Sequence, residues 1–250
     1  MRILLVNSNT SDVVTEKVAA AARATASSGT EIVPVTGTFG ARVIGTRSEH
    51  AIAEHSTIAL VARHAAGCDA VVIAVSYDTG SRGARELLAI PVVGMTEAGL
   101  LTACMLGGRI GVVTFGKRVL PLYQELVASY GLASRIAGWR VLESTAAYGR
   151  GEHPELDREI VAAANDLVER DLAEAVILTG AVVAGVPARL QKNVAVPLVD
   201  CLVCGVRQAE LLARLATPKP RAGSYAAPAG RELVDVDPAI ARAFGAADKS

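Results

Sequence analysis

Hydroxyls, carboxylates and thiols stand at the ends of apolar runs in this 250-residue chain. Asn7-Ser8-Asn9-Thr10-Ser11 follows the first run, Ser76-Tyr77-Asp78-Thr79-Gly80-Ser81 follows AVVIAV, and Thr114-Phe115-Gly116-Lys117-Arg118 follows IGVV. Thr179-Gly180-Ala181 follows AVIL, and Cys201 and Cys204 follow PLVD. Ser76, Tyr77 and Thr79, with Thr179 and the backbone amides of Gly180 and Ala181, form a set of donors for an atom that gains negative charge. A preorganised donor of that kind contributes about 3 to 4 kcal/mol to a transition state. Asp78, Glu97 and His55 are the candidates to activate a water beside it. Asn9, Thr10, Val75, Thr114 and Lys117 are read as substrate contacts, and Lys117, Arg118 and Arg82 suit a substrate carboxylate.

Each of these residues also has a plainer reading. Ser76 and Thr179 would satisfy strand-end backbone groups, Asp78 would serve as a turn or cap residue in Asp-Thr-Gly-Ser, and Glu97 would cap or pair at an interface. His50 and His55 are five apart and do not share a helical face; His64 and His153 add no constellation. Cys201-Leu202-Val203-Cys204 has metal-like spacing but no second ligand pair follows, so no metal is expected. A nucleophilic role for Cys201 stays open, because it lies just past a strand.

The elements that must position these groups alternate. Residues 2–6, 31–35, 70–75, 91–94, 110–114, 140–142, 175–178 and 197–199 read as strands, apolar on both faces and therefore suited to a covered parallel sheet. Residues 12–27, 49–66, 83–88, 120–130, 153–170 and 203–215 read as helices. The second half repeats the first: RILLVNSN at Arg2 echoes RIGVVTFG at Arg109, AVVIAVS at Ala70 echoes AVILTGA at Ala175, and IPVVGMTEAGLLTA at Ile90 echoes VPLVDCLVCGVRQA at Val196. Such a repeat predicts an α/β protein of two pseudo-symmetric, doubly wound parallel-sheet domains with the site between them. The expected division is residues 1–98 plus about 212–250 against 99–211, with the connection near 97–106.

Composition limits the partners. Lys and Arg total 25 and so do Asp and Glu, which leaves no net field to gather nucleic acid. The apolar stretch 175–188 is too short to span a membrane. The amino terminus shows no signal-peptide pattern, and the four cysteines form no disulfide framework, so the expected location is cytoplasmic.

Taken in order, NSNTS, AVVIAVSYDTG with ARELLAIPVVGMTEA, VVTFGKR, AVILTGAVVAG and AGSYAAP resemble the hydantoin and allantoin racemases of the aspartate/glutamate racemase superfamily. The resemblance implies a small cyclic ureide between two domains, no cofactor, a homo-oligomer, and one catalytic cysteine from each half. At those two positions this chain has Val75 and Gly180. Neither can move a proton, and a missing acid or base costs ~10² to 10⁴ in rate. The leading expectation is therefore hydrolysis or desulfhydration of a 5-substituted (thio)hydantoin carboxylate, with Ser76, Tyr77, Asp78, Thr179, Glu97, His55 and Cys201 as the catalytic group. The alternatives are a racemase with other bases and an inactive ureide-binding protein.

Overall fold

The structure, a computed structural model, describes residues 1–143, 153–228, 230 and 233–245. Strands β1 (Arg2–Asn7), β2 (Glu31–Thr36), β3 (Ala70–Ile73) and β4 (Val92–Gly94) form one sheet in the order β2-β1-β3-β4. Strands β5 (Ile110–Phe115), β6 (Ile136–Leu142), β7 (Ala175–Leu178) and β8 (Leu198–Asp200) form a second in the order β6-β5-β7-β8. All pairings are parallel. The sequence repeat is thus a repeat of topology, and the chain is an α/β protein of two helix-flanked sheets.

Alternation along the central strands explains why they read as continuously apolar. Ile3 and Leu5 enter one core with Ala70 and Val72, whereas Leu4 and Val6 enter another with Val71 and Ile73. In the second sheet Ile110, Val112, Ala175 and Ile177 join that first core, and Val113, Val176 and Leu178 face a third. One core is therefore common to both sheets. Helices α1 (Asp12–Thr25), α2 (Arg47–His64), α3 (Ser81–Leu87), α5 (Leu120–Ser129) and α6 (Pro154–Asp171) follow the expected periodicity within a few residues.

The largest difference from the sequence reading is α4 (Met95–Leu106), where residues 97–106 were expected to connect the halves. Its Gly99 weakens a helical reading, since glycine inside a helix costs about 1 kcal/mol against alanine. Packing explains the glycine: a Cβ there would lie 2.6 Å from the Sγ of Cys201 on α8 (Cys201–Leu215). The repeat places Gly205 at the equivalent point of α8, and Met95 of α4 lies against it, with a Cβ meeting its Cα at 3.4 Å. The two helices thus cross glycine against side chain, twice. Each also leaves the sheet it follows: α4 packs on β5, β7 and β8, and α8 packs on β3, β4 and α1.

Two short helices also escaped the pattern. α7 (Val186–Leu190) carries Pro187 in its first turn, where the missing N–H is harmless. α9 (Pro238–Ala243) lies in the Pro- and Gly-rich tail and docks on α2 through the Arg63–Asp237 ion pair, with Ala243 and Phe244 against the core. Residues 246–250 of the tail lie outside the described residues. Among the described residues no helix is long and apolar enough to cross a membrane.

Gly99→Ala should destabilise the protein by about 1 to 3 kcal/mol, the usual cost of overpacking. Adding Cys201→Ala, which removes the clashing sulfur, should restore part of that loss. A double-mutant cycle on urea midpoints measures the coupling.

Candidate functional site

A cavity of about 270 Å³ opens between the two halves. Asn9, Val75, Ser76 and Tyr77 line it from the strand ends of the first sheet, and Phe115, Gly180, Ala181 and Val182 from those of the second. Tyr123 of α5 and residues 42–45 complete it. The positions that the family resemblance assigns to thiols, Val75 and Gly180, therefore share one cavity. Ligands of open parallel sheets bind at such carboxyl ends.

Ser76 is the centre of the polar arrangement. Its Oγ accepts a hydrogen bond from the Tyr123 hydroxyl at 2.8 Å and another from the Gly180 amide of the other half at 2.7 Å. With both acceptor directions used, its own proton must be donated. The nearest protein acceptor is Thr96 Oγ1 at 3.5 Å, long for such a bond. Thr96 in turn gives its proton to the Ser76 carbonyl at 2.6 Å. Among the described residues the Ser76 proton, at the wall of the cavity, thus has one long protein partner. Asn9 is a second donor of this kind: its Oδ1 accepts from Asn7 Nδ2 and Ser11 N, both at 2.9 Å, so its Nδ2 is the group left for the cavity.

Burial fixes the protonation of the neighbours. Tyr123 is pushed up to about 12 by loss of solvent, against the stabilising hydrogen bonds of Ser76 and Thr179, so it remains a phenol and a donor. Burial likewise raises Tyr77, whose ring lies 4.6 Å from that of Tyr123. Sequence reasoning missed Tyr123. It stands on an amphipathic helix with no motif around it, and only the closure of the two halves brings it to Ser76.

Gly180 has φ +105°, a conformation that side chains rarely adopt, and a Cβ there would meet nothing closer than Phe115 Cδ2 at 3.8 Å. Space exists at this position, and the restriction is backbone conformation. It heads a single 3-10 turn, Ala181–Val183.

Several expected site residues do other work. Asp78 is a helix cap: one carboxylate oxygen accepts from Thr96 N at 2.9 Å, the other from Glu97 N at 2.7 Å and Tyr130 Oη at 2.8 Å. It sits over the start of α4 only because the residue there is Gly94, whose Cβ would collide with the carboxyl group at 2.4 Å. In the second half the equivalent position is Asp200, which caps α8 from within its own helix through Leu202 N and Val203 N. Both oxygens of Asp78 are occupied, which corrects its reading as a water-activating base.

Glu97 is ion-paired to Arg85 at 2.6 Å in a separate groove beside Leu101 and Leu212. His55 lies on the exposed side of α2 with its ring 5.2 Å from that of Phe39. Cys201 is 1 % exposed, donates to the Leu178 carbonyl, and has its thiol pushed well up by burial, so it is neither reachable nor ionised. These placements take all three out of the cavity.

Among the residues read as contacts, Thr10 gives its backbone N–H to Ala41, and Lys117 is exposed near Glu143. Thr114 is fully buried with an unpartnered hydroxyl, and Thr79 faces His50 Nδ1 at 3.3 Å. None of these four lines the cavity. Thr179 lies immediately behind it, its hydroxyl on the Val113 carbonyl at 3.3 Å.

Two parallel sheets of matching strand order, joined by a cavity between their strand ends, define a two-domain α/β fold with its site at the junction. A family model described as Asp/Glu/Hydantoin racemase matches residues 3–209, and the chain belongs to that family. It is 32% identical over 236 residues to a hydantoin racemase of Pseudomonas sp. (strain NS671), covering 94% of each chain. In structure it is similar to an allantoin racemase from Klebsiella pneumoniae, with TM-score 0.89, 29% identity, and 96% and 98% of the two chains covered. An allantoin racemase from Pseudomonas fluorescens gives TM-score 0.88 and 34% identity, with 94% and 100% covered. These relatives are racemases along nearly their whole length. That overturns the expectation of hydrolysis or desulfhydration, which rested on the family resemblance for the ring and on the missing thiols for the reaction.

The buried Asp78 gives a pH dependence. Desolvation outweighs the three hydrogen bonds and holds its carboxyl raised, at about 7, above its unfolded value near 3.8. Between these values the folded state binds the extra proton, so this group's contribution to stability falls as pH rises from about 4 to 7. Asp78→Asn removes that titration. The stability gap between wild type and variant should widen from pH 8 to pH 5 in denaturant unfolding.

Proposed function

We propose that this protein is a cofactor-independent racemase of a small hydantoin-like cyclic ureide that works without a thiol pair. The observation that carries this reading is Ser76 Oγ, bonded from both halves by Tyr123 and the Gly180 amide at the wall of a cavity that both halves of a racemase fold build. The ring carbon that carries the substituent lies beside a carbonyl, and its C–H bond is already acidic. When that bond breaks, the electron pair moves to the carbonyl oxygen, where Ser76 Oγ–H and Asn9 Nδ2–H donate to the developing charge. Tyr123 and the Gly180 amide hold Ser76 in the donating orientation.

The proton passes to water and returns from water on either face of the planar enolate. Val75 supplies no competing base, and the bare Gly180 leaves room for solvent beside the ring. Turnover by this route is slower than with two positioned thiols, because each general acid or base contributes ~10² to 10⁴.

Incubation of one enantiomer of 5-methylhydantoin in deuterated water should show deuterium at the ring carbon together with loss of optical rotation, both faster with protein than in buffer. Absence of any protein-dependent exchange would reject the reading in favour of an inactive binder. Ser76→Ala should lower the exchange rate about 10² to 10³-fold, the effect of losing one oxyanion donor. Val75→Cys should raise it by at least about tenfold by placing one base at the ring. Gly180→Cys should cost about 1 to 3 kcal/mol of stability, since its φ of +105° is unsuited to a side chain.

A further inference from the structure

Behind the Tyr77 ring lies a second hollow of about 280 Å³, lined by His50, Arg82, Leu122, Leu126 and Tyr130. Tyr77 is the aromatic residue that lines both this hollow and the cavity described above. Its ring stacks at 4.6 Å on Tyr123, with 34° between the planes, and takes the edge of His50 at 6.1 Å and 80°. The ring is therefore clamped from two elements, α2 and α5, and is 7 % exposed. The cavity it lines, at about 270 Å³, is just below the roughly 300 Å³ at which pockets for drug-sized ligands begin.

We infer that Tyr77 is a specificity-determining partition that limits the substituent of the ring ligand to a short aliphatic group, the hollow behind it being space that a larger substituent would need. The inference rests on the racemase reading for the identity of the ring. It does not depend on the catalytic role of Ser76. The wall is a matter of ring volume: a phenylalanine would keep it, and a small residue would join the two chambers into one elongated site. Its polar neighbours do not offer the hollow as a separate anion site, because Arg82 donates to the Ser129 carbonyl and Arg47 is paired with Glu125.

The test compares 5-methyl-, 5-isopropyl- and 5-benzylhydantoin by calorimetric binding and by deuterium exchange, for wild type, Tyr77→Phe, Tyr77→Leu and Tyr77→Ala. Wild type should bind the methyl compound at least about tenfold more tightly than the benzyl compound. Tyr77→Phe should keep that ratio, whatever its absolute rate. Tyr77→Ala should reverse or abolish it by improving benzyl binding about tenfold, with Tyr77→Leu between them and able to stand in should the alanine variant unfold. Equal binding of methyl and benzyl compounds by wild type, or folded alanine and leucine variants with an unchanged ratio, would overturn the inference while leaving racemisation intact. Neither binding nor exchange with any of the three compounds would overturn both.

Discussion

The hydrogen bond from the Gly180 amide to Ser76 Oγ is the point on which the cavity depends, because it joins the two halves at a hydroxyl of the cavity wall. A serine at a strand end has many ways to satisfy itself locally. Here one acceptor direction is filled from the other sheet and the second by a buried phenol. The left-handed backbone at Gly180 and the burial of Tyr123 both serve those bonds. Their costs are met by the common core behind them, in which residues of both sheets pack together.

The same constraint bears on Val75 and Gly180, the two positions at which the family resemblance implies thiols. The frame that positions the ring is made of strands, glycines and hydroxyls, and does not need sulfur for its assembly. The Val75 side chain joins the same apolar core as Tyr77, and the Gly180 backbone amide bonds Ser76. The hydrogen bonds that hold Ser76 therefore form without a thiol at either position.

Much of the architecture was legible in the sequence because it rests on short-range rules. Alternating apolar runs marked the strands, and the offset repeat pointed to a second parallel sheet like the first. The site was legible only in part. Ser76 could be placed on the cavity from a strand end, and Val75 and Gly180 from the family resemblance, whereas Tyr123 comes from a helix that nothing local marks. Asp78 and Cys201 misled for a shared reason: a polar residue past a strand serves catalysis or capping equally well, and the choice is made by Gly94 and Gly99, whose missing side chains admit the carboxylate to a helix terminus and the thiol to a buried crossing. Such glycines look like weak points of a helix until the partner that fills the gap is known.

The crossing of α4 and α8 has a consequence for the ancestry and synthesis of the chain. Because each helix completes the opposite sheet, half of the protein leaving the ribosome presents one helix with nothing to cover and one sheet without its cover. A single ancestral unit would have met the same demand by lending its last helix to a second copy. In the present chain both helices belong to one molecule, so their crossing is an intramolecular step, independent of concentration.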